Sequence, residues 1–460
     1  MDSQSWTVLA VMFYVAILLL LALYVFFVRR ASPFEPVGLF LFFVSLFALP
    51  LPVRYCFTTE IEGNVSTSLP QFASYIGISL VMTAISLVVF VLFYYSRWAR
   101  RLGDRIPQLP DHGAKGTGVS ILMLVLISVV LIYFLAESVG GFLEFLLLGY
   151  KSSEETFGRG YLAVGFPWLV VAMLALFDRY ATRKKWRDAI FGLLLLAGNF
   201  GIFALTGNRA MIMYMAISLT IFIHLRIRRL TPAIFLPLAL AGFIGLNVMG
   251  TLRGSDYGSI EEFVERMFAS SEAGATDSHN FFYTLTIGEF VVPFETLPQM
   301  IRSIGVDQWP WLGLSYLRAP VYMIPSFIFP DRPLPLANWY MENFYGGGYG
   351  LNEGRQFFFL AEGYLNWGAA GVFLVAAIWG IGWGALHRWM TRGRDRFGTV
   401  LIYSLLTAFM FRCIAGDVVT LLVGTTQQSL AAVFIIIAIA YLCAGRRRTG
   451  KAVPRSGVPK

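Results

Sequence analysis

The chain has 460 residues, of which 57% are hydrophobic and only 14% are charged, and its mean hydropathy is +0.66. These values exclude an ordinary soluble globular domain, which is less apolar and more highly charged. The net charge of +9 does not indicate nucleic-acid binding, because the cations form short clusters between hydrophobic runs. The cysteines, Cys56, Cys413 and Cys443, are odd in number and lack metal-ligand spacing, which argues against a disulfide framework or a zinc site.

Long uncharged runs recur along the whole chain, and a helix needs about 20 apolar residues to cross a bilayer. The sequence therefore predicts an all-α polytopic membrane protein with about eleven transmembrane helices. The first run is preceded by Asp2 and by no basic residue, so we expect a retained span rather than a signal peptide. The predicted spans lie near residues 7–28, 37–53, 73–95, 118–136, 160–177, 189–206, 209–225, 233–250, 364–386, 399–416 and 421–443.

The basic residues predict the orientation of these spans. Arginine and lysine crowd the connections after the odd-numbered spans, as in Arg183-Lys184-Lys185, and the tail that contains Arg446–Arg448. Because cytoplasmic loops carry the excess of positive charge, all these segments are expected on the cytoplasmic side. Eleven spans then place the N-terminus outside and the C-terminus inside.

Four parts of the chain follow from this topology: eight spans in 1–250, a large outer-face subdomain in 251–363, three spans in 364–443 and a basic cytoplasmic tail in 444–460. The outer connection over 251–363 is too long for a structureless loop in a compact protein. Within it, Ser259-Ile260-Glu261-Glu262 predicts the start of a helix through a capping box. The prolines between 309 and 329 predict a broken segment that lies at the membrane interface.

The turn Thr206-Gly207-Asn208-Arg209 is the first candidate site. Arg209 falls at the start of a span, where free N–H groups and the helix dipole favour an anion. Gly207 and Asn208 would allow a ligand to approach the backbone closely. Two interpretations remain open: a phosphate clamp that includes Asn208 and Arg209, or an arginine that snorkels to the interface.

Further polar residues are predicted at the same outer rim. Glu362 lies at the start of an apolar run and is either a helix cap or a carboxylate that acts as a general base or orients an arginine. Arg253 and Arg355 flank the outer subdomain and are either ligands of a phosphate or interfacial anchors. The other candidates for substrate binding are Arg318, Arg332, Glu353, Tyr364 and Asn366.

His279 is the only histidine that the topology places outside, and it is the alternative base, although a lone histidine is more often structural. Arg412 and Asp417 are expected to form a structural ion pair between the last two spans. No outer stretch contains an Asp-x-Asp pair or a cluster of histidine and aspartate, so we expect no required metal and no cofactor.

The chain resembles the bacterial O-antigen polymerases, also called oligosaccharide repeat-unit polymerases. The resemblance rests on Ile324-Pro325 through Phe329-Pro330-Asp331-Arg332-Pro333, on Gly347-Gly348-Tyr349-Gly350 and on Ala361 through Gly371, together with the turn before Arg209. These are similar to the family's "IPR…P.KP", a glycine-rich turn, "EaYlNFG..G" and a Thr/Ser-Gly-x-Arg turn. Ser326 and Arg332 differ from the family's usual arginine and lysine, and the motifs cover about a tenth of the chain.

The resemblance implies a GT-C-like architecture in the bacterial inner membrane and an active site on the periplasmic side. It implies a glycosyltransferase that joins two undecaprenyl-diphosphate-linked oligosaccharides, with release of undecaprenyl diphosphate. A hydroxyl group of the acceptor sugar would attack the anomeric carbon of the donor. Arginine side chains would stabilise the diphosphate that leaves. A chain-length regulator and a flippase are the protein partners that the resemblance implies.

Two alternatives to a polymerase remain open. An O-antigen ligase has a similar architecture and would transfer the finished glycan to lipid A-core, and it would use outer arginines and a loop histidine such as His279. A flippase or transporter would instead carry charges deep within several spans and an inverted repeat. Our hypothesis for the site joins Arg209 and Arg355 to the donor diphosphate, with Glu362 nearby.

Overall fold

A computed structural model describes residues 2–57, 72–109, 117–148, 155–156, 159–231, 291–324, 328–345 and 355–448, with side chains to residue 442. Within these ranges every regular secondary-structure element is a helix. The only β-type pairing there is an isolated bridge between Ile304 and Gln308. The predicted eighth span, near 233–250, and the predicted capping box at Ser259 lie outside the described residues. The prediction of an all-α chain is confirmed for the described part.

The helices are numbered α1 to α18 in chain order. Their bounds are α1 Ser3–Leu23, α2 Pro36–Ala48, α3 Pro50–Phe57, α4 Ile76–Tyr94, α5 Arg97–Arg105, α6 Thr117–Glu137, α7 Phe142–Leu147, α8 Gly160–Ala163, α9 Gly165–Arg183, α10 Trp186–Leu205, α11 Arg209–Phe222, α12 Val292–Ser303, α13 Leu314–Arg318, α14 Leu336–Phe344, α15 Phe359–Arg392, α16 Phe397–Ile414, α17 Val418–Val423 and α18 Ala431–Arg448. Short π-helical turns extend α1 and α11 and join α17 to α18, and 3-10 turns precede α4 and follow α13.

Ten helical segments of the described chain are long and apolar enough to cross a membrane. They confirm ten of the eleven predicted spans. The remaining one, the eighth, lies outside the described residues. Their bounds are Ser3–Val28, Pro36–Phe57, Ala73–Tyr94, Thr117–Glu137, Gly160–Arg183, Trp186–Leu205, Arg209–Ile227, Phe359–Arg392, Phe397–Ile414 and Val418–Leu442. The chain is therefore a multi-pass membrane protein.

Helix α15 packs along α4 and α5. Glycines make this close approach possible. A Cβ atom at Gly380 would lie 2.5 Å from the carbonyl oxygen of Phe90, and one at Gly384 would lie 2.4 Å from that of Tyr94. Small residues at a helix–helix contact let the two backbones approach in a bilayer, where packing rather than water exclusion holds helices together.

Helix α15 is broken near its start. Its 34 residues would extend about 51 Å if straight, which exceeds the hydrocarbon thickness of a bilayer. The backbone leaves helical geometry at Trp367 and at Gly368, where φ is 60° and ψ is −148°. The segment before the break carries Glu362 and Asn366 and so forms a separate short helix. The broken segment predicted over 309–329 is also present, as α13 and the 3-10 turn that follows it.

Gly371 is required for this break. A Cβ atom at Gly371 would lie 1.9 Å from the carbonyl oxygen of Gly363, so the two parts of α15 could not keep their present contact. We expect Gly371→Ala to lower the thermal midpoint of the purified protein clearly, by an amount equivalent to roughly 1–3 kcal/mol. Gly382→Ala is the matched control, since no atom lies within 4 Å of its added Cβ atom. Equal midpoints for the two variants would contradict the prediction.

Candidate functional site

A buried hydrogen-bond network surrounds Glu362, whose exposed fraction is only 2%. The hydroxyl group of Ser315 donates to Oε1 of Glu362 at 2.6 Å, and the backbone N–H of Val418 donates to Oε2 at 2.8 Å. The side-chain amide of Asn366 donates to Ser315 Oγ and to the backbone carbonyl of Glu362, both at 2.8 Å. Because a buried carboxylate is costly unless it is hydrogen-bonded, these donors fix Glu362 in one orientation.

The break in α15 is what brings this network together. It frees the carbonyl groups of Leu365 and Asn366 from helical bonding, and the backbone N–H groups of Trp311 and Leu312 donate to them, each at 3.0 Å. The N–H of Gly313 donates to the side-chain oxygen of Asn366 at 2.9 Å. The segment that leads into α13 is thereby attached to the start of α15, which places Ser315 beside Glu362.

Asp417 lies immediately before α17 and acts as its N-cap. Its Oδ1 accepts from the backbone N–H and from the hydroxyl group of Thr420, both at 2.9 Å. The predicted ion pair between Asp417 and Arg412 is wrong, because the described residues show no ion pair of Arg412. The physical reason is that the cap geometry directs the carboxylate into the first turn of α17, away from the guanidinium group.

Arg412 is the least expected charge in the bundle. It is partly buried in the last turn of α16, its Nη1 lies 3.8 Å from the sulfur of Met211, and its guanidinium carbon lies 5.6 Å from the centre of the Phe409 ring. Sulfur and an aromatic ring compensate a positive charge only weakly. Among the described residues Arg412 has no carboxylate partner, so its guanidinium can donate to an anion next to the first turn of α11.

The turn before α11 has the geometry that the sequence predicts. Gly207 has φ of 63°, and the side-chain oxygen of Asn208 accepts from the backbone N–H of Met211 at 3.2 Å. Asn208 is therefore the helix N-cap, and Arg209 is the first residue of α11. Since Met211 also contacts Arg412, the first turn of α11 brings Arg209 and Arg412 to the same end of the bundle.

Two further predicted arginines lie close enough to Tyr322 to act on its phenol group. Arg318 stands over the ring of Trp311 at 5.5 Å, and Arg332 stands over the ring of Tyr322 at 5.7 Å. Burial, together with the negative charge of Asp417, raises the pKa of the Tyr322 phenol to about 12, although Arg332 and Arg318 oppose the rise. Both arginines are therefore close enough to influence a negative charge beside Tyr322.

Arg355 has a different setting from the one our hypothesis gave it. Its guanidinium forms an ion pair with both carboxylate oxygens of Glu295, with Nη2 donating to Oε2 at 2.7 Å, and Tyr345 donates its hydroxyl proton to Oε1 at 2.7 Å. Burial raises the pKa of Glu295 to about 7, while Arg355 and Tyr345 act in the opposite direction. Burial is the largest single effect on the pKa of Arg355 and lowers it, but Glu295, Tyr345 and Tyr340 together outweigh burial, so the pKa is raised. The role of Arg355 as a ligand of a diphosphate stays a prediction, and in the structure its guanidinium group is paired with the Glu295 carboxylate.

The remaining candidates divide into two groups. Tyr364 is partly buried against the apolar core, on the same short helix as Glu362. Arg253, His279 and Glu353 lie outside the described residues, and their roles stay predictions. In the part of the chain that the structure describes, no group of three or more histidine, cysteine, aspartate or glutamate side chains could hold a metal ion.

Sequence reasoning missed Ser315 and Glu295 and misjudged Arg412. Ser315 carries no signal in the sequence, because a single uncharged serine in an apolar and aromatic segment is unremarkable. Glu295 did carry one: it is an acid directly after the apolar run Val291-Val292-Pro293-Phe294, and an acid that folds into an apolar core needs a partner. The same reasoning applied to Arg412 could have identified it as a candidate without reference to Asp417.

Chemically, the described residues combine a fixed carboxylate, a bonded serine hydroxyl and several guanidinium groups at one end of a helical bundle. This arrangement can bind a polar, negatively charged group at the membrane boundary and can accept a proton from it or from a second reactant. Comparison with known proteins adds no identification, since no family model, no curated protein and no solved structure matches the chain.

Proposed function

We propose that the chain is a membrane-embedded glycosyltransferase that polymerises undecaprenyl-diphosphate-linked oligosaccharide repeat units on the outer face of the bacterial inner membrane. The observation that carries the proposal is Arg412, a partly buried guanidinium that contacts the sulfur of Met211 and the ring of Phe409 and has no ion pair among the described residues. A charge of this kind within a membrane span is costly and marks a functional site. A diphosphate on a lipid carrier would supply the anion that the described residues do not provide.

The surroundings of Arg412 suit this substrate. It adjoins the first turn of α11, where Arg209 and the helix N-terminus add positive potential. The leaving group of the proposed reaction is a diphosphate, on which negative charge develops as its bond to the sugar breaks. Arginines that are already oriented would stabilise this charge in the transition state at little cost in reorganisation.

Glu362 has the complementary role in the proposed reaction. The oxygen of an acceptor hydroxyl attacks the anomeric carbon of the donor, the new glycosidic C–O bond forms, and the C–O bond to the diphosphate breaks. The proton of the acceptor hydroxyl moves to the Glu362 carboxylate, either directly or through the Ser315 hydroxyl that donates to it. Undecaprenyl diphosphate carries away the electron pair of the broken bond, so atoms and charge balance without a further reactant.

The test is the ladder of surface polysaccharide from a deletion strain. The strain is complemented with wild type, with Arg412→Gln or with Arg159→Gln. The matched control, Arg159, lies in an exposed contact with the backbone of Ser138 and far along the chain from the site. We expect wild type and Arg159→Gln to give the full ladder. Arg412→Gln should give core plus a single repeat, because loss of one such donor lowers turnover roughly 10²–10³-fold.

The other outcomes distinguish the alternatives. Loss of all attached repeats in the uncomplemented strain would indicate a ligase or a flippase and would contradict the polymerase. A full ladder from Arg412→Gln, with the variant present in membranes at the wild-type level, would remove Arg412 from the mechanism. The amount of each variant in membranes is measured by immunoblotting, so that poor expression is not read as loss of activity.

A further inference from the structure

A short basic helix at the opposite end of α15 forms a surface that the proposed reaction does not use. Only two residues separate helix α5 from the span that ends at Tyr94, and Ser96 caps the helix by accepting from the backbone N–H of Ala99 at 3.2 Å. It therefore starts at the boundary between the hydrocarbon and the aqueous phase. It lies in one of the strongly basic connections of the chain.

Helix α5 is held rigidly on α15 by its small and acidic residues. A Cβ atom at Gly103 would lie 2.6 Å from the carbonyl oxygen of Ala385, so the two backbones are in contact there. Asp104 accepts from Nε of Arg388 at 2.8 Å, and Nη1 of Arg392 donates to the carbonyl groups of Gly103 and Asp104 at 2.9 and 2.6 Å. These contacts fix which face of α5 points outward.

The outward face combines apolar and cationic side chains. Trp98 is 58% exposed and Leu102 is 45% exposed. The arginines of the helix are all exposed, and within the described part of the chain none of them takes part in an ion pair: they are Arg97, Arg100, Arg101 and Arg105. A helix with this composition lies in the plane of a membrane surface.

A shallow, open groove lies at the junction of α4 and α5. Its volume is about 370 Å³, and it is lined by Leu92, Phe93, Ser96, Arg97 and Trp98. Its apolar wall continues along the span, where Leu92 is 65% exposed, and the rings of Phe93 and Trp98 are 5.5 Å apart. One end of the groove therefore suits an acyl chain, and the other presents a guanidinium group.

We propose that this groove binds an anionic phospholipid of the leaflet next to the basic connections, with the acyl chain against Leu92 and Trp98 and the headgroup phosphate held by Arg97 and Arg101. Arg97 and Arg101 are four residues apart and so lie on the same side of the helix. The occupant is a lipid rather than a soluble anion because the groove is continuous with the lipid-facing surface of the span. This proposal does not depend on the glycosyltransferase activity.

The test uses the full-length protein in phosphatidylcholine vesicles that contain either dibrominated phosphatidylglycerol or dibrominated phosphatidylcholine. Bromine quenches tryptophan fluorescence on contact, and the Trp98 component is the difference between wild type and Trp98→Phe. We expect brominated phosphatidylglycerol to quench this component at a clearly lower mole fraction than brominated phosphatidylcholine. In Arg97→Gln/Arg101→Gln the preference should fall roughly tenfold or more, since each cation near an anionic surface contributes substantially to binding.

The matched control is Lys184→Gln/Lys185→Gln, which removes the same charge from two exposed residues of another basic connection. It should keep the wild-type preference. Equal quenching by the two brominated lipids would overturn the proposal, and so would an equal loss of preference in the two double variants, which would indicate only general attraction to the surface. Displacement of the lipid by soluble glycerol phosphate at millimolar concentration would also overturn it, in favour of a site for a free phosphate ester.

Discussion

Replacement of Glu295 by leucine is expected to destabilise the folded protein by about 3–5 kcal/mol, the usual effect of removing one partner of a buried ion pair. The Glu295 side chain is fully buried, and that of Arg355 is only 12% exposed. The variant would leave the Arg355 guanidinium and the Tyr345 hydroxyl without the carboxylate that now accepts from both. The measurement is the thermal midpoint in detergent, followed by fluorescence-detected size-exclusion chromatography.

The double variant Glu295→Leu/Arg355→Met separates the two contributions to this effect. With both charges replaced by apolar side chains of similar volume, stability should return to within about 1 kcal/mol of the wild type or exceed it. The stability lost in the single variant would then be the cost of an unpaired buried charge, not the net contribution of the pair. Recovery in the double variant would also indicate that Arg355 serves the fold, because a residue needed only for substrate binding has no such coupling.

The matched control is an exposed ion pair of the same chain. Asp104 and Arg388 are 47% and 46% exposed and lie 2.8 Å apart, a separation similar to that of the buried pair. Asp104→Ala should change stability by no more than about 1 kcal/mol, because solvent screens such a pair. If Asp104→Ala and Glu295→Leu lowered the midpoint equally, burial would not be what makes the Glu295 pair important.

The membrane spans could be predicted from the sequence because each depends only on the summed hydrophobicity of consecutive residues. A run of about twenty apolar residues meets the length requirement of a bilayer whatever the rest of the chain does, and the helices over Thr117–Glu137 and Phe397–Ile414 lie within a few residues of their predicted bounds. The break at Trp367 was not predicted. The residues around Gly368 read as part of one apolar helix, and only the contact of Gly371 with Gly363 shows why the helix must bend.

The candidate site could be predicted only in part, and for a related reason. Glu362 and Asn366 were predicted as members because polar residues in an apolar run are conspicuous one at a time. Their partner Ser315 lies 47 residues from Glu362 along the chain, and hydrophobic periodicity contains no information on pairing at that distance. The same limitation explains why Arg412 was assigned to Asp417, its nearest acid in sequence, although Asp417 caps α17 instead.

The replacement of Glu362 by glutamine is expected to abolish polymerisation while the protein stays folded. Glutamine has nearly the same shape, and its amide can match both neighbours of the carboxylate. Its oxygen can accept from the N–H of Val418, and its NH₂ group can donate to Ser315 Oγ if the serine hydroxyl rotates. Only the negative charge and the ability to take up a proton are lost, and such a group contributes roughly 10²–10⁴-fold to turnover.

Two measurements on the same variants test this prediction. The first is the length distribution of surface polysaccharide made by the complemented deletion strain, which should collapse to core plus one repeat for Glu362→Gln. The second is the thermal midpoint of the purified protein, which should stay close to that of the wild type. Glu362→Leu is the contrasting variant, because it leaves the N–H of Val418 and the hydroxyl of Ser315 without an acceptor in a buried site, and it should lower the midpoint clearly.

The opposing interpretation is that Glu362 is only a structural connection, which ties α13 and α17 to the start of α15 through Ser315 and Val418. That interpretation makes a different prediction for the same pair of variants. A structural connection needs hydrogen-bond acceptors and not a charge, so Glu362→Gln would keep the full ladder and Glu362→Leu would lose it together with the fold. A stable Glu362→Gln protein that makes no polymer is therefore the result that assigns the carboxylate to the chemistry, because the hydrogen bonds alone cannot explain it.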